Sequence, residues 1–168
     1  MSKAFTDEET PEAGPLARPP PRLLPGEVRY VTPEGKGALE DALRGLRAER
    51  DRLRALPEAH RASRAPELEA RIRTAEATLA SLTVLGPEEA PEGVAAFGTW
   101  VTVQEGALPP VTWRLVGPDE ADPRWGLLSA HSPVGRAILG RGAGEAVEVV
   151  RPGGGVVLRI VRVWRSPP

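Results

Sequence analysis

The chain has 168 residues, with 22 basic and 23 acidic side chains and a net charge of −1. That length allows one domain or two small ones, and the balanced charge leaves no global field to drive the chain onto nucleic acid. There is no cysteine, which excludes disulfides and thiolate chemistry, and the two histidines, His60 and His131, are too far apart in sequence to suggest a zinc site.

Residues 1–26 are rich in proline and carry four acids within Asp7–Glu12. Such a segment buries too little apolar surface to offset its ordering entropy, and it reads as a disordered tail. A tether for a partner is the functional alternative. Val28, Tyr30 and Val31 lead into a helix start at Thr32-Pro33, a capping hydroxyl followed by proline at the first helical position. From there Leu39, Leu43, Leu46, Leu53 and Leu56 recur at spacings of four and three, with Arg50 in one apolar slot. A turn region is expected between Pro57 and Pro66. Leu68, Ile72, Ala75, Leu79 and Leu82 then continue the spacing in a second helix.

Two such seams joined by a turn predict an antiparallel helical hairpin over residues 27–85. Folding it about residue 60 pairs Leu39 with Leu82, Leu43 with Leu79, Leu46 with Ala75 and Leu53 with Leu68. Arg50 then faces Ile72, where its stem packs while its charge reaches water.

Residues 86–93 combine glycine, proline and acids and read as a linker. Residues 94–168 form a second domain with predicted strands at 99–104, 111–116, 126–129, 146–151 and 156–164. A helix near 133–139 starts at Ser132-Pro133 and is closed by Gly140, and Pro152–Gly155 turns the chain between the last two strands. Trp113, Trp125 and Trp164 are expected in the core or at its edge. Gly140-Arg141-Gly142-Ala143-Gly144 looks like a phosphate loop but follows a helix and precedes a strand, so it reads as a turn. The fold class is α+β: an N-terminal antiparallel helical hairpin (a short coiled coil), then an antiparallel β-sheet domain with one helix.

One ordered set of residues carries a family resemblance. Arg114-Leu115-Val116-Gly117, Asp119-Glu120-Ala121-Asp122, Leu128-Ser129, Ser132-Pro133 and Arg136-Ala137-Ile138-Leu139-Gly140 resemble the C-terminal domain of the GreA/GreB family of bacterial transcript-cleavage factors. Val31–Gly35 and Phe97–Val101 extend the match, so roughly residues 28–165 are covered, the middle of the arm excepted. The resemblance implies an FKBP-like second domain that docks on bacterial RNA polymerase at the rim of its secondary channel. The docking residues would be Asp119, Glu120, Asp122, Ser132, Pro133 and Arg136. Two other readings of the acidic cluster are a solvated turn, with Asp119 capping local N–H groups, and a divalent-cation site. Prolyl isomerase chemistry is disfavoured, because residues 98–168 contain no Phe or Tyr for an aromatic cage.

In the resembled family the hairpin is a longer arm whose Asp-x-x-Glu-Asn tip helps the polymerase hold a second Mg²⁺. The tip of this chain runs from Arg54 to Glu67 without that motif, and the whole chain lacks asparagine. Residues 50–73 hold seven arginines against four acids, the wrong balance for recruiting a cation. The family's catalytic residues therefore do not carry over, and the tip residues of interest are Glu58, His60, Arg61, Arg64 and Glu67. The expectation is a non-enzymatic polymerase-binding regulator, with neither metal nor cofactor, that does not stimulate transcript cleavage. In architecture it resembles the short-arm relatives described as regulators of nucleoside diphosphate kinase. One alternative is a cleavage factor using Glu58 or Glu67 as a substitute metal ligand. Another is a nucleic-acid-binding module using Arg44, Arg47, Arg54, Arg61, Arg64, Arg71 and Arg73. No segment approaches the ~20 apolar residues that span a bilayer, no signal pattern opens the chain, and a cytoplasmic monomer is expected.

Overall fold

The structure, a computed structural model, describes residues 22–151 and 153–168. Residues 1–21 of the expected tail and Pro152 of the expected turn lie outside the described residues. The last part of the tail segment forms a closed turn, with Glu27 N–H donating to the Leu24 carbonyl and Leu24 N–H donating to the Glu27 carboxylate.

A two-residue strand, β1 (Tyr30–Val31), leads into α1 (Pro33–Arg54), whose N-terminus is capped by the Thr32 hydroxyl accepting from Gly35 N–H at 3.0 Å. The chain returns through α2 (Glu58–Ser81) and leaves by β2 (Thr83–Val84), which pairs in parallel with β1. That pairing, unforeseen from the sequence, ties the entrance of the hairpin to its exit. Leu43, Leu46, Leu53, Leu68, Ile72 and Ala75 are buried as one cluster, with Leu79 packed against it, as the four-three spacing requires. Arg47–Glu76 at 2.7 Å and Arg54–Glu69 at 3.8 Å lace one edge of the hairpin, and all four side chains are well exposed. Such pairs contribute about 0–1 kcal/mol each, so the seam does most of the holding.

The expected turn between Pro57 and Pro66 is corrected by the structure. Only Ala55–Pro57 separate the helices, and Pro66 lies inside α2. Residues 58–65 are mostly alanine, glutamate and arginine, all good helix formers. One missing N–H at Pro66 costs less than giving up two turns of helix.

The rest of the chain builds a five-stranded sheet from β3 (Trp100–Glu105), β4 (Val111–Val116), β5 (Leu127–Ser129), β6 (Ala146–Arg151) and β7 (Gly154–Trp164), in the order β5-β4-β3-β7-β6. Only β4–β5 is parallel. A short helix, α3 (Pro133–Ile138), covers the inner face. Val101, Val103, Leu115, Ile138, Val147, Val149, Leu158 and Ile160 form the core there. Each such side chain contributes on the order of 1.5–3 kcal/mol by leaving water. Gly140 follows the helix at φ +80°, a conformation suited to glycine, and its N–H donates to Ala95 at 2.7 Å. By strand alternation Trp100, Thr102, Arg114, Arg162 and Trp164 face outward, and a bulge in β7 between Ile160 and Arg162 brings Arg159 to the same face.

Of the expected core tryptophans, Trp113 packs on the core and Trp164 is half-buried on the outer face. Trp125 is 71% exposed. It sits on a 3-10 turn, Pro123–Trp125, beside the short edge strand β5, where no element among the described residues packs over it. No helix among the described residues is long and apolar enough to cross a membrane.

Candidate functional site

The residues singled out in the second domain gather where the sheet meets the base of the hairpin. Beyond β4 the chain turns at Gly117, and the Glu120 carboxylate accepts from Gly117 N–H at 2.9 Å. The same carboxylate accepts from Thr32 N–H at 2.9 Å and from the Thr32 hydroxyl at 2.6 Å. Thr32 thus relays between Glu120 and the first turn of α1, and a negative charge stands at the positive end of a 22-residue helix. Gly35 is required by this approach, since a Cβ there would run into the Glu120 carboxylate.

Asp119 makes a forked pair with Arg29, Nε to Oδ2 at 2.7 Å and Nη2 to Oδ1 at 3.0 Å. Its side chain is only 5% exposed. Arg136 donates to the His131 carbonyl at 2.9 Å and to Glu27 Oε1 at 2.7 Å. Asp119, Glu120 and Arg136 therefore all hold the strap Glu27–Thr32 that precedes α1. A fourth tie runs from Arg114, which reaches Glu34 at 3.0 Å and the Gly98 carbonyl at 3.2 Å.

The other three residues shape their own loops. Asp122 caps the 3-10 turn through Arg124 N–H at 3.0 Å and grips the Arg124 guanidinium at 2.7 Å. The Ser132 hydroxyl accepts from Gly135 N–H at 3.0 Å and donates to the Ser129 carbonyl at 2.7 Å, which fixes the start of α3. Pro133 follows, exposed at the first helical position.

Electrostatics follow the geometry. The Leu24 N–H and then Arg136 hold the Glu27 carboxyl below its ordinary value. At Glu34 partial burial pushes the carboxyl upward, but its own N–H and Arg114 more than offset this, and the net shift is downward.

At the hairpin tip, Glu58, His60, Arg61, Arg64 and Glu67 all lie in the first ten residues of α2. Glu58 is paired with Arg61 one turn on, at 2.5 Å. Glu58 and Glu67 are nine residues apart on one helix. That is two and a half turns and about 13 Å of rise, so they project from opposite sides. Among the described residues no three His, Asp or Glu side chains are grouped to hold a metal ion.

Glu27, Arg29, Thr32 and Arg114 are the partners that sequence reasoning missed. The Thr32-Pro33 helix start was a visible signal, but it pointed to a local cap and not to a carboxylate 88 residues away.

The C-terminal part of the chain, residues 90–165, matches the family model described as transcription elongation factor, GreA/GreB, C-term. Transcription elongation factor GreA of Pseudomonas aeruginosa is 37% identical over 148 residues, covering 84% of this chain and 91% of that protein. Transcription elongation factor GreB of Yersinia pestis is 31% identical over 146 residues, covering 87% of this chain and 85% of that one. Among solved structures, the GreA factor homolog 1 (Gfh1) of Thermus thermophilus aligns over 82% of this chain and 99% of its own, at 22% identity and a TM-score of 0.39. With a relative at that identity along most of its length, the chain belongs to the GreA/GreB family of transcription elongation factors.

Proposed function

We propose that this chain binds bacterial RNA polymerase near its secondary channel and regulates elongation without stimulating transcript cleavage. The observation that carries the second half is the placement of the tip carboxylates. Mg²⁺ asks for near-octahedral oxygen ligands, usually one or two carboxylates beside substrate phosphates. Glu58 is paired with Arg61, and Glu67 projects from the far side of the same helix. Arg61 and Arg64, on the tip itself, disfavour a cation there.

Docking is assigned to the outward side of the acidic loop and α3, with Asp122, Pro133 and Arg136 as the reachable side chains. Asp119 and Glu120 act behind them by holding the strap. A contact made at that face would set the direction in which the hairpin points.

The test uses backtracked complexes of purified polymerase. Adding this protein is expected to leave cleavage at or below the intrinsic rate, and to reduce cleavage stimulated by a competent relative as its concentration rises. Stimulation that disappears in Glu58→Ala would overturn this reading in favour of a substitute metal ligand.

A further inference from the structure

The outer face of the sheet carries a chemistry that the polymerase reading leaves unused. Trp100 and Trp164 are direct partners in the β3–β7 register and stand side by side on that face. The Arg114 guanidinium lies 5.8 Å from the centre of the Trp100 ring, and that of Arg162 lies 5.5 Å from the centre of the Trp164 ring. Arg114 is already engaged: it is bonded to Glu34 and Gly98, and its side chain is only 12% exposed.

Arg162 differs. It is exposed, as is Arg159 on the same strand, and among the described residues neither makes an ion pair. Val157 and Val161 beside them are 57% and 45% exposed. Glu148 stands opposite Val157 on this face, exposed and likewise without an ion pair among the described residues. The open part of the face therefore carries two cations and one carboxylate, a half-buried indole with the Arg162 guanidinium over it, and apolar flanks.

We propose that this face, centred on Arg162 and Trp164, binds single-stranded nucleic acid. Planar guanidinium and indole groups accept a stacked base without regard to its identity. Across the bulge Arg159 and Arg162 pair with Gln104 and Thr102, two steps or about 7 Å apart on β3, so they can meet different phosphates of one strand. An open sheet face presents rings to unstacked bases, whereas duplex readout needs an element that enters a groove. An acidic protein segment would satisfy the arginines but gains nothing particular from the guanidinium–indole pair. The site is separate from the arginines of the hairpin.

The experiment is fluorescence anisotropy of a fluorescein-labelled single-stranded oligouridylate, and of its DNA counterpart, titrated with the full chain without polymerase. Arg159→Glu combined with Arg162→Glu changes only exposed side chains. It should weaken binding at least about ten-fold at low salt and reduce the salt slope by about 1.4, two phosphate contacts at 0.7 each. Trp164→Ala should weaken it at least about five-fold. A hairpin variant, Arg64→Glu with Arg71→Glu and Arg73→Glu, should bind like the parent. No binding by the parent chain, or binding lost in the hairpin variant and kept in the sheet variant, overturns the proposal. A sheet variant that loses polymerase binding, from a parent that binds no oligonucleotide, also overturns it and gives the face to the polymerase. Because polymerase is absent from the titration, failure here leaves the regulatory reading untouched.

Discussion

Glu120 accepts three hydrogen bonds, from two N–H groups and one hydroxyl, across the joint between sheet and hairpin. Removing it strands the Thr32 and Gly117 N–H groups where little water can replace it, and bonds to a charged acceptor are worth roughly 1.5–3 kcal/mol. Glu120→Ala should therefore lower stability by about 2–3 kcal/mol in urea melts, and a loss below about 0.5 kcal/mol would mean that the carboxylate is only a surface decoration. Glu27 makes a related prediction in pH. The Leu24 N–H and Arg136 lower its carboxyl from the ordinary 4.5. With the folded pKa below the unfolded one, its contribution is present above the unfolded value and is lost as pH falls through the folded value. The gap in melting temperature between the parent and Glu27→Gln should therefore be open near neutral pH and close below 4.5. A gap of constant size across that range would remove Glu27 from the joint.

At the scale of elements, α2 poses the sharpest question, because two readings of Pro66 predict opposite effects. If Pro66 opened the second helix, replacing it would lose a favourable first-turn residue. In the structure it is the ninth residue of a continuous helix, where proline costs up to about 3 kcal/mol relative to alanine. Pro66→Ala should raise the stability of the chain in urea melts, and no gain would restore the longer turn. The seam itself was legible, because apolar spacing is a local property that survives whatever the rest of the chain does. Ile72, 2% exposed at its centre, should cost about 2–5 kcal/mol on replacement by alanine. The strands were legible for the same reason, their β-branched runs being bounded by glycine and proline. Three things were not legible. The β1–β2 pair is only two residues long on each side and joins segments more than fifty positions apart. Trp125 gives no sign in the sequence that the fold leaves it uncovered. Asp119 and Glu120 read as an acidic loop facing outward, since nothing local shows that Arg29 and Thr32, 90 and 88 residues away, will meet them.

For the whole molecule, the consequence is a division into two cores that share no residue, one in the hairpin and one under the sheet. What joins them is short: the ties from Asp119, Glu120, Arg136 and Arg114 to residues 27–34, and the Tyr30 ring against that of Phe97, 5.8 Å between centroids. Cooperative unfolding of separately cored units depends on the contacts between them. The parent chain should melt in one transition, and Arg29→Ala combined with Glu120→Ala should separate it into two. The tryptophans make this measurable, because all four lie between residues 100 and 164. Their fluorescence reports the sheet, while the far-ultraviolet helix signal comes chiefly from α1 and α2. In the parent the two signals should coincide. In the double variant the helix signal should be lost first, since a hairpin of two exposed helices with a proline in one has the smaller core. Coincident but lower transitions would show that the cores remain coupled without these ties, and would move the joint to the Tyr30–Phe97 contact. If the signals separate, the acidic loop sets the direction of the arm, and the same variant should lose competition with a cleavage-competent relative while it still binds polymerase.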